Sequence, residues 1–214
     1  MVIAVICMAV AVGIVIGAAI AVAMRRRRQR SELADTPRPA LDPLAPDVSP
    51  GGNPLEIGPG YVVDLGDALI GNSIVRGTAR FTHGPYTWWE HFLADGTATD
   101  STDPAHHWLS VEPSEDNPGT NEVIYWTAVR NLGLAPTSTI EYEGVTYELD
   151  EHGRATYTTI GATDLPPSGT VEYWDYVGPG GRYLSFERYN GSRDYELSEG
   201  REVTDTELIL FPPS

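Results

Sequence analysis

The side chains best suited to chemistry in this 214-residue chain are carboxylates that recur in matching surroundings. Glu90 follows Trp89, and Asp175 follows Trp174. Glu112 closes the run Trp108-Leu109-Ser110-Val111-Glu112, and Glu187 closes Tyr183-Leu184-Ser185-Phe186-Glu187. Two carboxyls converging in a pocket can do acid–base work. Glu90, Trp89, Asp175 and Trp174 are therefore the candidate ligand-binding residues. Glu112 and Glu187 alternate with leucine, valine and phenylalanine, which places them on the solvated face of a strand. Glu90 and Asp175 are framed by aromatics and are expected to pair with Arg80 or Arg182.

The remaining chemistry is sparse. The histidines are His83, His91, His106, His107 and His152. His106 and His107 are adjacent, so in a strand they point to opposite faces and do not serve one metal. The acidic stretches Asp95–Asp103 and Glu112–Asn121 lack the spacing of a calcium loop. No nucleophile elbow, phosphate-binding glycine loop or dinucleotide fingerprint occurs, and Gly178–Gly181 lies between two strands as a turn. Trp88, Trp89, Trp108, Trp126 and Trp174, with eleven tyrosines, are expected mainly in a core. No catalytic residue, metal site or cofactor is expected.

The elements that must position these residues are β throughout. Tyr61–Leu65, Ser73–Phe81, Thr87–Leu93, Trp108–Glu112 and Val123–Val129 are rich in aromatic and β-branched residues. The style returns at Ile140–Leu149, Ala155–Ile160, Val171–Val177, Arg182–Arg188 and Glu207–Phe211. Asp95-Gly96, Gly180-Gly181 and Asn190-Gly191 are hairpin-turn dipeptides, and only Asn131–Leu134 hints at a helical turn. The recurrence of the tryptophan–carboxylate and Leu-Ser-x-Glu runs, with a weaker echo of Gly77–Thr82 in Gly153–Thr158, reads as an internal repeat over about 60–130 and 140–211. The expected fold is all-β, with duplicated antiparallel meanders forming a pseudo-twofold sandwich or barrel over residues 55–213.

One transmembrane α-helix is expected ahead of this domain. Residues 2–24 form an unbroken run without a charged member, about 34 Å long as a helix against a ~30 Å hydrocarbon core. Ala9, Gly13, Gly17 and Ala21 form a stripe of small side chains suited to close helix packing, including a homodimer. Arg25, Arg26, Arg27, Arg28 and Arg30 follow directly, so the N-terminus is expected outside and the β domain in the cytoplasm. Residues 25–54 combine this cluster with a proline-rich tether. Cys7, the single cysteine, falls in the apolar run, which excludes disulfides within the chain.

Charge narrows the partners. All fourteen basic residues are arginines, and five of them lie at 25–30. The other nine face all 30 acidic residues, which lie beyond position 31. Such a domain repels phosphates, so nucleic acid is excluded as its partner and contact with anionic lipid is disfavoured. Basic proteins or cations fit the domain's charge.

Gly66-Asp67, Trp89-Glu90-His91, Trp108-Leu109-Ser110-Val111-Glu112, Tyr142-Glu143-Gly144, Leu184-Ser185-Phe186-Glu187 and Tyr189-Asn190-Gly191 together resemble the bacterial family catalogued as domain of unknown function 4178. The pattern spreads over about 60–211, with His91 where the family tends to show tyrosine. The resemblance transfers no activity or catalytic residue. It implies an accessory role at the membrane, since similar members are encoded beside small membrane proteins, polyamine-synthase-like enzymes and envelope-stress components. The expected function is therefore a single-pass, membrane-anchored accessory or scaffold protein that presents an acidic β domain to protein partners. The alternative is a small-molecule binder or enzyme with a pocket between the two repeats.

Overall fold

A computed structural model describes residues 53–213 apart from 67–70, 95–105, 115–116, 118, 130–132 and 205–206. The apolar run at 2–24, its small-residue stripe, the arginines at 25–30, most of the tether, the Asp95–Asp103 loop and the first half of Asn131–Leu134 lie outside the described residues. Among the described residues no helix is long and apolar enough to cross a membrane.

The described chain is all-β and antiparallel. After a 3-10 turn at Pro54–Glu56 come β1 (Val62–Asp64), β2 (Asn72–His83), β3 (Tyr86–Leu93), β4 (His107–Pro113) and β5 (Asn121–Val129). Then follow β6 (Thr139–Tyr142), β7 (Val145–Gly161), β8 (Ser168–Val177), β9 (Arg182–Tyr189), β10 (Glu196–Glu202) and β11 (Ile209–Phe211). The expected Ile140–Leu149 strand is two strands, because Glu143 and Gly144 both take positive φ and reverse the chain. The second of them runs on through Ala155–Ile160 to make the 17-residue β7. The Gly180-Gly181 and Asn190-Gly191 turns lie between strands as expected, all four residues at positive φ.

Strand order is β11-β1-β2-β3-β4-β5-β10-β9-β8-β7-β6, with β2 also pairing β7. That last pairing joins Gly77–Thr82 to Thr156–Gly161 and closes eight strands, β2–β5 and β7–β10, into a ring. Closure removes the open edges that a flat sheet would leave unpaired. Two meanders thus meet along two seams, β2 on β7 and β5 on β10.

Side chains alternate across such a strand, so the register assigns each residue a face. One apolar cluster gathers Ala79, Phe81, Phe92, Trp108, Trp126, Ala155, Tyr157, Val171 and Tyr173 from seven elements around the ring, once its half-buried neighbours Tyr183 and Tyr189 are included. These residues share one face, and Trp88 of β3 meets Tyr173 of β8 edge-on with ring centroids 5.5 Å apart. Strands β3 and β8 are not neighbours in the ring. This face is the interior.

The outer face carries two further clusters. Leu93, Leu109, Val111, Val123 and Tyr125 lie under Ile57, Val63, Val203, Leu208 and Leu210, contributed by the 3-10 segment, β1, β11 and the chain joining them. Tyr176, Leu184, Phe186 and Leu197 pack with Ile140 of β6 and Tyr147 of β7. His91 is fully buried on this outer face, 3.0 Å from Thr78 Oγ1. Burial pushes its pKa down to about 4, so it is a neutral packing residue at physiological pH.

Candidate functional site

The ring register lays out the interior in rows. Phe92, Trp108, Trp126, Gly200 and Tyr183 are successive cross-strand partners on β3, β4, β5, β10 and β9. Neighbouring rings in this row have centroids 6.2 to 6.4 Å apart. The row works because Gly200 has no side chain: a Cβ there would lie 2.7 Å from the Trp126 ring. Trp126 also donates its indole N–H to Ser110 Oγ at 2.9 Å. A second aromatic group runs through Tyr189, Tyr157, Phe81, Trp88 and Tyr173, with Phe81 and Trp88 stacked at 5.1 Å.

Between these aromatic groups lies the row Ala79–Glu90–Ser110–Ile124. Glu90 is only 5% exposed, and its Oε2 has no hydrogen-bond partner. Burial is the largest influence on its carboxyl and pushes the pKa up to about 8; a hydrogen bond from Trp88 works against this. The charges of Asp175 and Glu196 push in the same direction as burial. Glu90 of β3 therefore faces carboxylates of β8 and β10 across the interior. Asp175 accepts a hydrogen bond from Ser185 Oγ at 2.6 Å.

Glu187 and Tyr189 complete the cluster. Tyr189 donates its hydroxyl to Glu187 Oε2 at 3.0 Å. Burial raises the Glu187 carboxyl well above its ordinary range, reinforced by Glu90, Glu196 and Asp175. Burial, reinforced by Glu187, Glu90 and Glu196, holds the Tyr189 hydroxyl protonated. Both side chains retain intermediate accessible surface. Glu196 sits at the more open start of β10 and is raised mainly by burial, with His106 pulling the other way.

The interior balance of charge is one-sided. Arg80, Arg154, Arg182, Arg188 and Arg201 all take outward register positions, and Arg76, at the bulge of β2, bonds Asp164 at 2.6 Å. Arg80 and Arg182, the expected partners of Glu90 and Asp175, lie on the opposite face. Arg182 instead hydrogen-bonds Tyr147. Among the described residues no three His, Cys, Asp or Glu side chains are arranged to hold a metal ion.

The expected ligand set is thus divided. Glu90 and Asp175 turn inside and interact. Trp89 and Trp174, each one residue away, turn outside. Trp174 stacks on His152 with centroids 4.6 Å apart, and the Arg188 guanidinium lies 5.7 Å from its centroid. Glu187 is not on a solvated face: the outward Leu184 and Phe186 are covered, so its own face is the interior. Glu112 shares that inward register with Ser110 and Trp108, but at the exposed end of β4, where its charge acts on Tyr173. Glu187, Tyr189 and Glu196 complete a site that the tryptophan–carboxylate repeat only half revealed. The interior offers buried carboxyls that donate a hydrogen bond when neutral or balance a cation when ionised.

The fold and this interior define a closed antiparallel β barrel with an acidic, aromatic-walled centre. The chain belongs to the family described as domain of unknown function (DUF4178), whose model matches residues 59–205. Curated relatives include uncharacterised proteins of Mycobacterium bovis and Mycobacterium tuberculosis, 36% identical over 189 residues. Each match covers 86% of this chain and 85% of the relative. No solved structure matches the chain.

Proposed function

We propose that the barrel is a binding module that takes a small molecule into its interior, between the two meanders. The observation that supports this most is Glu90: a buried carboxyl with an unpartnered oxygen is costly unless something completes its hydrogen bonding. The two meanders are read as copies of one unit, which makes the interior a joint between repeats. In support, Trp89 pairs Val111 as Trp174 pairs Phe186, and Glu90 pairs Ser110 as Asp175 pairs Ser185. Exchanging β2–β5 with β7–β10 also maps the ring order onto itself.

The full chain purified from its native membranes is expected to carry a small molecule, seen as a mass adduct in native mass spectrometry. That adduct should dissociate on acidification, when the carboxyls neutralise. Absence of any adduct, together with no thermal stabilisation by a broad small-molecule panel, would remove the binding reading.

The sequence run 2–24 and the arginines at 25–30 support a single-pass anchor with the barrel in the cytoplasm. In this reading the module works beside the bilayer as an accessory to membrane proteins, and Gly13 and Gly17 offer a helix-packing face, including for a second copy. Protease added to sealed, right-side-out vesicles is expected to leave the C-terminal domain intact. Cleavage before permeabilisation would overturn this orientation.

A further inference from the structure

Resting on the binding reading above, we infer that the occupant of the barrel interior is a small organic cation, an alkylammonium held by the carboxyls of Glu90, Glu187, Asp175 and Glu196. Three observations carry this. The charges that act on Glu90 and Glu187 are acidic, Asp175 from β8 and Glu196 from β10, beside the neutral groups Trp88, Ser110 and Tyr189; the register also turns Glu112, Glu151 and Glu202 inward, and His83, which bonds the Tyr173 hydroxyl. His106, with Arg76 3.4 Å from it, acts on Glu196 at the barrel's open end. An anionic ligand would add to this repulsion, whereas an ammonium removes it.

The second observation is the atom left over. Glu90 Oε2 is buried, accepts nothing and belongs to a side chain 5% exposed. An N–H donor of a cationic ligand satisfies it with a charge-assisted hydrogen bond, among the strongest available to a carboxylate. Third, the walls fit the rest of such a ligand. Trp88, Phe81, Tyr157 and Tyr189 present a continuous aromatic surface, which attracts a desolvated cation and packs against its alkyl part. A bare metal ion fits less well. It needs several oxygens converging at about 2.0–2.6 Å, and the carboxylates, spread over four strands, form no such group among the described residues.

The cation replaces a proton. Glu90 is largely neutral when the barrel is empty at pH 7, because burial and the facing carboxylates hold its proton on. An incoming ammonium stabilises the ionised form and expels that proton, so binding near neutrality is coupled to proton release and weakens at low pH.

Isothermal titration of the full chain in mild detergent, at pH 7 in two buffers of different ionisation heat, tests this. The probes are n-butylammonium, 1-butanol, butyrate and calcium chloride. Butylammonium is expected to bind at least tenfold more tightly than the other three and to release close to one proton. Glu90→Gln should weaken it at least tenfold and abolish the proton release, while Glu141→Gln, exposed on β6 outside the ring, leaves it within about twofold. If Glu90→Gln does not fold, the proton count of the native protein decides alone, and binding without proton release overturns the inference. Preference for butanol, butyrate or calcium overturns the cation class while leaving a binding barrel in place. Silence toward every probe overturns this inference too, whereas the binding module itself falls only if the native adduct is also missing.

Discussion

Replacing Glu90 by Gln is expected to stabilise the empty barrel at pH 8 by on the order of a few kcal/mol, and to leave it nearly unchanged at pH 4.5. Proton linkage is the cause. The Glu90 carboxyl has an ordinary pKa of 4.5 and is pushed up to about 8 in the folded chain, first by burial and then by Asp175 and Glu196. Between those two values the native state holds a proton that the unfolded chain has lost. Stability therefore falls as pH rises, by up to about 1.4 kcal/mol per pH unit for one such group. The contribution is fully present below pH 4.5 and is lost as pH climbs through 8. Glutamine keeps the shape and has no proton to lose, so its stability curve runs flatter through this window. Urea unfolding of both proteins in mild detergent, followed by tryptophan fluorescence at pH 4.5, 6, 7 and 8, gives the difference directly. Parallel curves would mean that Glu90 is already ionised when the barrel is empty, and the interior would then need a cation of its own.

Much of the ring was legible because its strands announce themselves. Strands β3, β4, β8 and β9 carry aromatic and β-branched runs bounded by turn residues. Strand β10 does not. Its sequence, Glu196 to Glu202, has Leu197 as its one large apolar residue, because its inward positions are Glu196, Ser198, Gly200 and Glu202. A strand whose inner face lines an acidic interior and leaves room for a neighbour's ring has little hydrophobic periodicity to detect. Yet β10 is the strand that joins the two meanders through β5. The long β7 was hard to read for a related reason: Asp150, Glu151 and His152 interrupt its apolar pattern between the stretches that pair β6 and β2.

The candidate site shows the same division. The recurring tryptophan–carboxylate pair marked Glu90 and Asp175, and the two-residue period already placed Trp89 and Trp174 on the other side of their strands. What alternation leaves open is which side is wet. Leu184 and Phe186 look like a buried face with Glu187 opposite in solvent, and in an open sheet that would hold. Here both faces are covered: β6 and β7 residues lie over the outer one and ring closure encloses the inner one. That depends on the pairing of β2 with β7, between segments nearly eighty residues apart in sequence, and no local pattern encodes it.

Gly200→Val is expected to destabilise the domain by about 3 kcal/mol, at the upper end of overpacking costs, and Gly200→Ala by about 1–2 kcal/mol. Gly200 directly opposes Trp126 across the β5–β10 seam. A Cβ there would lie 2.7 and 2.8 Å from two atoms of the indole ring and 2.9 Å from Ile124 Cγ2. The indole cannot move aside cheaply. Its N–H is held by Ser110 at 2.9 Å, and its faces lie in the row from Trp108 to Tyr183. The penalty is one of space, so removing the obstacle should return it: Gly200→Ala combined with Trp126→Leu is expected to cost less than the sum of the single changes. Additive costs would place Gly200 away from Trp126 and break the seam that joins the meanders. Coupling would tie β10, the least apolar strand of the ring, to closure of the barrel around Glu90. Gly200→Val should then also weaken any ligand bound there, although residue 200 bears no chemical group that could touch it.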